Sequence, residues 1–328
     1  GYVVEIDPLN PNSTPKKHTA LGRFKHENAE LVISKDGKII VYMGDDERGE
    51  YLYKYVSNES MNEVKDKSTL LSNGNLYVAK FNDNFTGEWL LLDTQTTGLS
   101  SKAEVCIFTR LAASKVGATT MDRPEWIASN PKKNEVCCCL TNNKNRGIKT
   151  NKGGDKVDVD KVNPRKNNKY GQIVRWKPRD NNHSSVYFEW DLFVVAGNPN
   201  VHDDNNRGSK NIDKENMFNS PDGLKFDKYG RLWIQTDGNY SNSGDFKGMG
   251  NNQMLIADTN TGKIKRFMVG PKECEVTGLT FAPDYKTVFV GIQHPGERLG
   301  SNFPDKGNNK PRSCIIAIQK KDGSEVLT

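Results

Sequence analysis

Four acidic residues sit at one phase of a repeated pattern, and if they converge they make a cation site. Glu27, Glu125, Asp222 and Glu275 each open a stretch that passes a turn and enters a short apolar strand ending in polar residues. The stretches cover residues 27–46, 125–143, 222–237 and 275–294. Hairpins of two short strands repeated at this scale mark a radial all-β architecture. Units related by rotation put equivalent positions on one ring, so the four carboxylates would meet at an axis. Carboxylates gathered there repel one another unless cations lie between them, and calcium in particular takes several oxygen ligands. A single acid at a strand entrance more commonly pairs with an arginine or caps a turn; four at one phase carry the argument.

Other polar groups fall near these positions. Asp45, Asp46 and Glu47 form a dense acidic loop that either holds calcium or pairs with Arg48. Asn142 and Asn143 end the second stretch on the side where the acids would lie. His26 and His294 have no partner spacing for iron or zinc and read as hydrogen-bonding residues. Cys137, Cys138 and Cys139 are consecutive on a strand, so they face alternate sides and cannot form one metal cluster; they read as small hydrophobes in a buried strand. Trp89, Trp126, Trp176, Trp190 and Trp233 read as packing residues.

The elements that must position these groups are strands. Apolar runs recur at 38–43, 75–79, 136–140, 172–176, 192–196, 231–234, 254–257 and 287–292, mostly bounded by turn dipeptides such as Asp-Gly and Asn-Gly. Helical periodicity is nearly absent; residues 101–115 are the best helix candidate and read as a short insertion at a blade edge. The acids lie 98, 97 and 53 residues apart. At about 50 residues per blade, the two long gaps hold two blades each, with the strands near 73–83 and 190–198 as the unmarked ones. That predicts five to six blades in a single propeller domain over 1–328, the first incomplete. Residues 142–169 and 198–214 are rich in Asn, Lys, Gly and Asp and read as long solvated loops.

Composition narrows the function. The 328 residues carry 34% hydrophobic side chains and a net charge of +6. The chain can bury a sizeable core, yet much of it must be polar loop. The positive charge is spread, without a stripe of stacking aromatics, so a nucleic-acid surface is not expected. A mild positive field would instead steer a small anion. No run approaches the ~20 apolar residues of a membrane helix. The chain opens at Gly1 on what reads as a strand, residues 2–6, and is expected to be a piece of a longer protein.

Several strings go beyond a generic propeller: Ala-Leu-Gly-Arg-Phe-Lys-His-Glu at 20–27, Gly-Asp-Asp-Glu-Arg-Gly-Glu at 44–50, Met-Asp-Arg-Pro-Glu-Trp at 121–126, Pro-Asp-Gly-Leu at 221–224, Cys-Glu-Val-Thr-Gly at 274–278 and Gln-His-Pro-Gly-Glu at 293–297. In this order the chain resembles the PhoX family of bacterial alkaline phosphatases. The resemblance implies a six-bladed propeller with ferric iron (Fe3+) and calcium (Ca2+) on its axis, hydrolysing small-molecule phosphate monoesters. It implies a monomer, exported folded by the twin-arginine route to the periplasm or beyond in the service of phosphate acquisition. Motif by motif, it assigns metal ligation to Glu27, Glu125, Asp222 and Glu275, and phosphate binding to Arg123, with Asn142 beside it in the substrate site. Arg123 and Glu125 are then the catalytic pair. The family's iron-ligating cysteine lies in a string upstream of this sequence, and Cys274 belongs to a different motif. Two other readings are a calcium-dependent lactonase, whose propeller also gathers acids on its axis, and a non-catalytic binding scaffold.

Overall fold

In the computed structural model, which describes residues 1–327, the hairpin repeat folds as radial sheets. A small hairpin of β1 (Val3–Glu5) and β2 (Lys16–His18) comes first. The first blade holds β3 (Glu30–Ile33), β4 (Lys38–Gly44), β5 (Leu52–Ser60), β6 (Gly74–Phe81) and β7 (Thr86–Leu91). The second holds β8 (Pro124–Ser129), β9 (Val136–Leu140), β10 (Gln172–Pro178) and β11 (Tyr187–Val195). At the rim β7 pairs with β11, which joins these two blades into one nine-stranded sheet. The third blade is β12 (Pro221–Phe226), β13 (Arg231–Thr236), β14 (Gln253–Asp258) and β15 (Ile264–Val269). The fourth is β16 (Glu275–Phe281), β17 (Thr287–Gln293) and β18 (Cys314–Gln319). The first strands of successive blades pack side by side, β3 against β8, β8 against β12 and β12 against β16.

All eight apolar runs fall on strands, and the architecture is the all-β propeller expected. The blade count is not. Each long gap between acids holds one enlarged blade instead of two. The strand near 73–83 is β6, and the one near 190–198 is the end of β11; both are outer strands of blades already counted. The first gap also contains α1 (Thr94–Thr97), α2 (Lys102–Ile107) and α3 (Thr109–Lys115). The helix expected over 101–115 is thus present in two pieces, because Phe108 leaves the helical region.

Side-chain alternation explains how the blades stack. On β9, Cys137 and Cys139 pack with Ile173, Leu224 and Leu232 between the second and third blades. Cys138 points the other way and packs with Ile40, Tyr42 and Trp176 between the first and second. The cysteines therefore serve as small hydrophobes on both faces of a fully enclosed strand. Trp89, Trp176 and Trp190 fill the layer between the first and second blades, and Trp233 fills that between the third and fourth. Helices α2 and α3 cover the outer face of the first blade through Val105, Ala112 and Ala113.

The stretch 142–169 is a long loop with polar anchors. It carries no strand or helix, as expected of a loop, and residues such as Lys144, 147–150 and 152–154 are exposed, but Asn143, Arg146, Asn151, Asn163, Arg165 and Asn168 are buried and pin it to the protein. Arg146 is fully buried: its Nε donates to Asp122 Oδ1 (2.7 Å), Nη1 to Thr120 Oγ1 (3.2 Å) and the Asp158 carbonyl (2.9 Å), and Nη2 to the Thr120 carbonyl (2.8 Å). Asn168 and Gln172 donate to the other Asp122 oxygen. Hydrogen bonds thus order a segment that hydrophobic burial could not. In 198–214, Asn198 and Ile212 are buried and most of the rest is not.

Candidate metal centre

Antiparallel pairing sets the entrance of each blade's first strand beside the exit of its second. Asp46 N donates to the Lys25 carbonyl, and His26 bridges Asp45. Pro124 pairs with Leu140, Pro221 with Thr236, and Glu275 with Gln293. Two groups per blade therefore arrive at one place. Carboxylate oxygens of Glu27, Glu125 and Asp222, from three blades, lie within 4.8 Å of one another. One ligand atom each from Asp237, Glu275 and His294 forms a second group within the same 4.8 Å limit.

Local backbone features aim these side chains. Arg123, Ser220 and Glu273 adopt left-handed φ values of 60°, 51° and 61°, and each stands two residues before an axial acid. None is glycine, so each costs of the order of 1–2 kcal/mol. A β-bulge follows at once in β8 and β12, at the acids themselves, and turns them out of the ordinary pleat. Gly44 makes room for this. A Cβ there would stand 2.5 Å from the Glu125 carbonyl oxygen, so only glycine lets the first blade approach the second.

The electrostatics are those of crowded acids. Burial pushes the Glu125 carboxyl well above its ordinary range, and Asp222 and Asp46 push it further. Burial does the same to Asp222, with Glu275, Asp237 and Glu27 adding to it. Glu27, Asp237 and Glu275 are raised for the same first cause, burial. Arg123 is the main countercharge: its Nε is 2.5 Å from Asp46 Oδ1, and Nη2 is 3.2 Å from Glu125 Oε1 without a hydrogen-bonding angle. Burial works against the charge on Arg123, but Glu125 and Asp46 outweigh it. Asp222 Oδ1 is buried with no hydrogen-bond partner. An orphaned carboxylate oxygen among five raised acids is a donor set waiting for cations, and carboxylate oxygens suit calcium and iron.

All four acids picked out by the repeat meet here, and Arg123 stands among them. Asn142 lies alongside: its Oδ1 accepts from Arg48, and its Nδ2 donates to Ser220 Oγ (3.3 Å). The acidic loop divides three ways and does not pair with Arg48 through its carboxylates in the way expected. Asp45 takes Arg110 through both oxygens (2.7 and 2.6 Å), Glu47 takes Lys25 and Lys152, and Asp46 joins the centre. Among the described residues, the link between this loop's carboxylates and Arg48 is its backbone N–H to Glu47 Oε1. Sequence reasoning offered Asp46 only as part of a separate calcium loop, read His294 as a hydrogen-bonding residue and missed Asp237; all three reach the hub. His294 faces Glu275 at 3.5 Å, and Gln293 donates to the same oxygen. A signal was present, since these residues are the last of the repeated stretches.

Fold and site together define a β-propeller whose hub is a carboxylate centre built to take cations. The family model described as alkaline phosphatase PhoX matches residues 1–296, and the chain belongs to that family. Among solved structures it is similar to Pseudomonas fluorescens PhoX in complex with vanadate, a transition state analogue, at 56% identity and a TM-score of 0.93. That likeness covers 99% of this chain and 58% of the other, so the chain spans little more than half the length of that relative. The gluconolactonase XC5397 from Xanthomonas campestris matches at 10% identity over 79% of this chain and 67% of that one, with a TM-score of 0.29. No curated protein matches. Among the described residues no helix is long and apolar enough to cross a membrane.

Proposed function

We propose that this chain carries the hub of a phosphomonoesterase, an alkaline phosphatase that hydrolyses small-molecule phosphate esters outside the cytoplasm. The observation that carries the reading is the meeting of Glu27, Glu125 and Asp222 from three blades within 4.8 Å, with Arg123 beside them. Cations at this hub, ferric iron and calcium in our reading, would be held by Glu27, Glu125, Asp222 and Glu275, joined by Asp46, Asp237 and His294. When bound, they supply the positive charge that a dianionic ester needs on its non-bridging oxygens and the Lewis acidity that activates an oxygen nucleophile. Arg123 grips the phosphoryl group through the planar fork of its guanidinium, which a lysine would not reproduce. Its strained backbone keeps that fork facing the acids, so orientation is set before the substrate arrives.

The test uses the full-length, metal-loaded protein, assayed on a chromogenic phosphate monoester and on a lactone, with iron and calcium measured by elemental analysis. Turnover of the monoester is expected, and Glu125→Ala should abolish it and lower the metal content. A wild-type protein that hydrolyses only the lactone, or that contains no metal and no activity, overturns the reading.

A further inference from the structure

We propose that Arg48 is a second guanidinium of the phosphate site, pre-set by Asn142 to receive a dianionic terminal phosphate; this rests on the phosphomonoesterase reading above. Arg48 follows β4, and its backbone bridges Asp122, the residue before Arg123. Its Nε and Nη2 both donate to Asn142 Oδ1, at 3.2 and 2.8 Å, which fixes one edge of the guanidinium on a neutral acceptor. Asn142 is itself tied down. The adjacent Thr141 N–H donates to the Arg123 carbonyl (3.1 Å), and Asn142 Nδ2 reaches Ser220 Oγ in the third blade. Asn142 is thereby a positioning residue that spans three blades, and Arg48 is what it positions.

What sets Arg48 apart is the missing anion. Among the described residues its side chain has no carboxylate partner, although three acids precede or adjoin it. Asp45 is taken by Arg110, Asp46 by Arg123 and Glu47 by two lysines. A half-buried guanidinium beside a second one, with no carboxylate paired to it directly and only the more distant charge of Glu47 and Asp46 in its favour, is costly to hold. Burial and the neighbouring Arg123 both bear against its charge. Of its five N–H donors, those on Nη1 and one on Nη2 remain for a ligand. Two guanidiniums at one anion favour two negative charges over one. The site should therefore prefer a monoester to a diester by more than cations alone would give.

The experiment measures phosphate binding and ester turnover in the full-length, metal-loaded protein and in Arg48→Ala, Arg48→Gln and Asn142→Ala. Arg48→Gln can keep a hydrogen bond to Asn142 and guards against misfolding. For both Arg48 variants we expect unchanged metal content, a KM for a phosphate monoester at least tenfold higher, and inorganic-phosphate affinity weakened by a like factor. The fall in kcat should be smaller than the rise in KM, and the preference for monoester over diester should shrink. Asn142→Ala should move KM the same way by less. Arg48→Gln that keeps its metals and binds inorganic phosphate within twofold of wild type overturns the proposal. If instead the wild type binds phosphate, loses that affinity on Arg48→Gln, yet hydrolyses no ester, the role of Arg48 stands and the phosphomonoesterase reading falls.

Discussion

Removing a charge from the hub should have opposite effects on stability with and without cations, and Asp222→Asn is the substitution that shows it most clearly. Oxygens of Glu27, Glu125 and Asp222 lie within 4.8 Å of one another, so each ionised pair repels by at least about 3.5 kcal/mol at an effective dielectric constant of about 20. Asp222 takes part in two of these three pairs, worth about 7 kcal/mol. That is comparable with the whole stability of a typical domain. Protonating one carboxyl relieves the same strain, and with an ordinary pKa near 4 this costs about 5 kcal/mol at about pH 8. The gain from Asp222→Asn in the chelator-treated protein is capped by that smaller figure; we expect at least about 2 kcal/mol. Asn occupies the same volume, so packing contributes little to the difference. In the cation-loaded protein the sign reverses, because a ligand has been lost and binding to the native state is stabilising. Urea unfolding of wild type and Asp222→Asn, each with saturating metal and with chelator, gives the four numbers. Equal destabilisation in both conditions would refute the idea that cations hold these acids together.

Further expectations concern the groups that support the hub. Arg146→Met should cost about 3–5 kcal/mol, since it leaves Asp122 buried without its cation; pairing it with Asp122→Asn should recover much of the loss in a double-mutant cycle read by urea unfolding. Burial pushes the Glu50 carboxyl up to about 8, with Arg110 opposing and Asp45 adding to the shift. A raised pKa in the fold means stability is greatest below the ordinary carboxylate range and falls as pH rises toward 8. That loss, on the order of 5 kcal/mol, should be absent from the pH-dependent unfolding of Glu50→Gln. Of the six free cysteines, only Cys314 is partly exposed, so a thiol reagent followed by mass spectrometry should label it in the native protein. Cys137, Cys138 and Cys139 should react only on unfolding; native labelling of any of them would contradict the packing described.

What could be read from the sequence was whatever depends on local pattern. Eight apolar runs gave strands, and the recurrence of Glu27, Glu125, Asp222 and Glu275 gave their convergence. Blade number was not legible, because the apolar alternation of β6 or β11 looks the same whether a strand opens a blade or closes one. The buried polar anchors of the 142–169 loop were not legible either. Composition weighs the cost of burying Arg and Asn but not the relief from hydrogen bonds, and Arg146 with its four bonds is ordered by them. Nor could the left-handed residues before three of the acids be foreseen. Arg123, Ser220 and Glu273 are not types that favour that region, and only the assembled hub holds them there.

The exit residues show why the centre is larger than the repeat of acids suggested. A hairpin has two open ends, and antiparallel pairing makes them neighbours, so an acid at the entrance brings the exit residue with it. Asp46 arrives with Glu27, Asn142 with Glu125, Asp237 with Asp222 and His294 with Glu275. Two of these partners add negative charge, one is neutral and one can carry positive charge. The asymmetry has a consequence for how the site divides its work. Excess negative charge surrounds Glu27, Asp222 and Asp237, where cations are needed most. The neutral partner, Asn142, stands in the second blade, where it accepts from Arg48 of the first blade close to Arg123. Under the proposed function a phosphate ester would meet both environments at once, cations on its oxygens from one side and guanidiniums from the other, a division that the hairpin exits would supply.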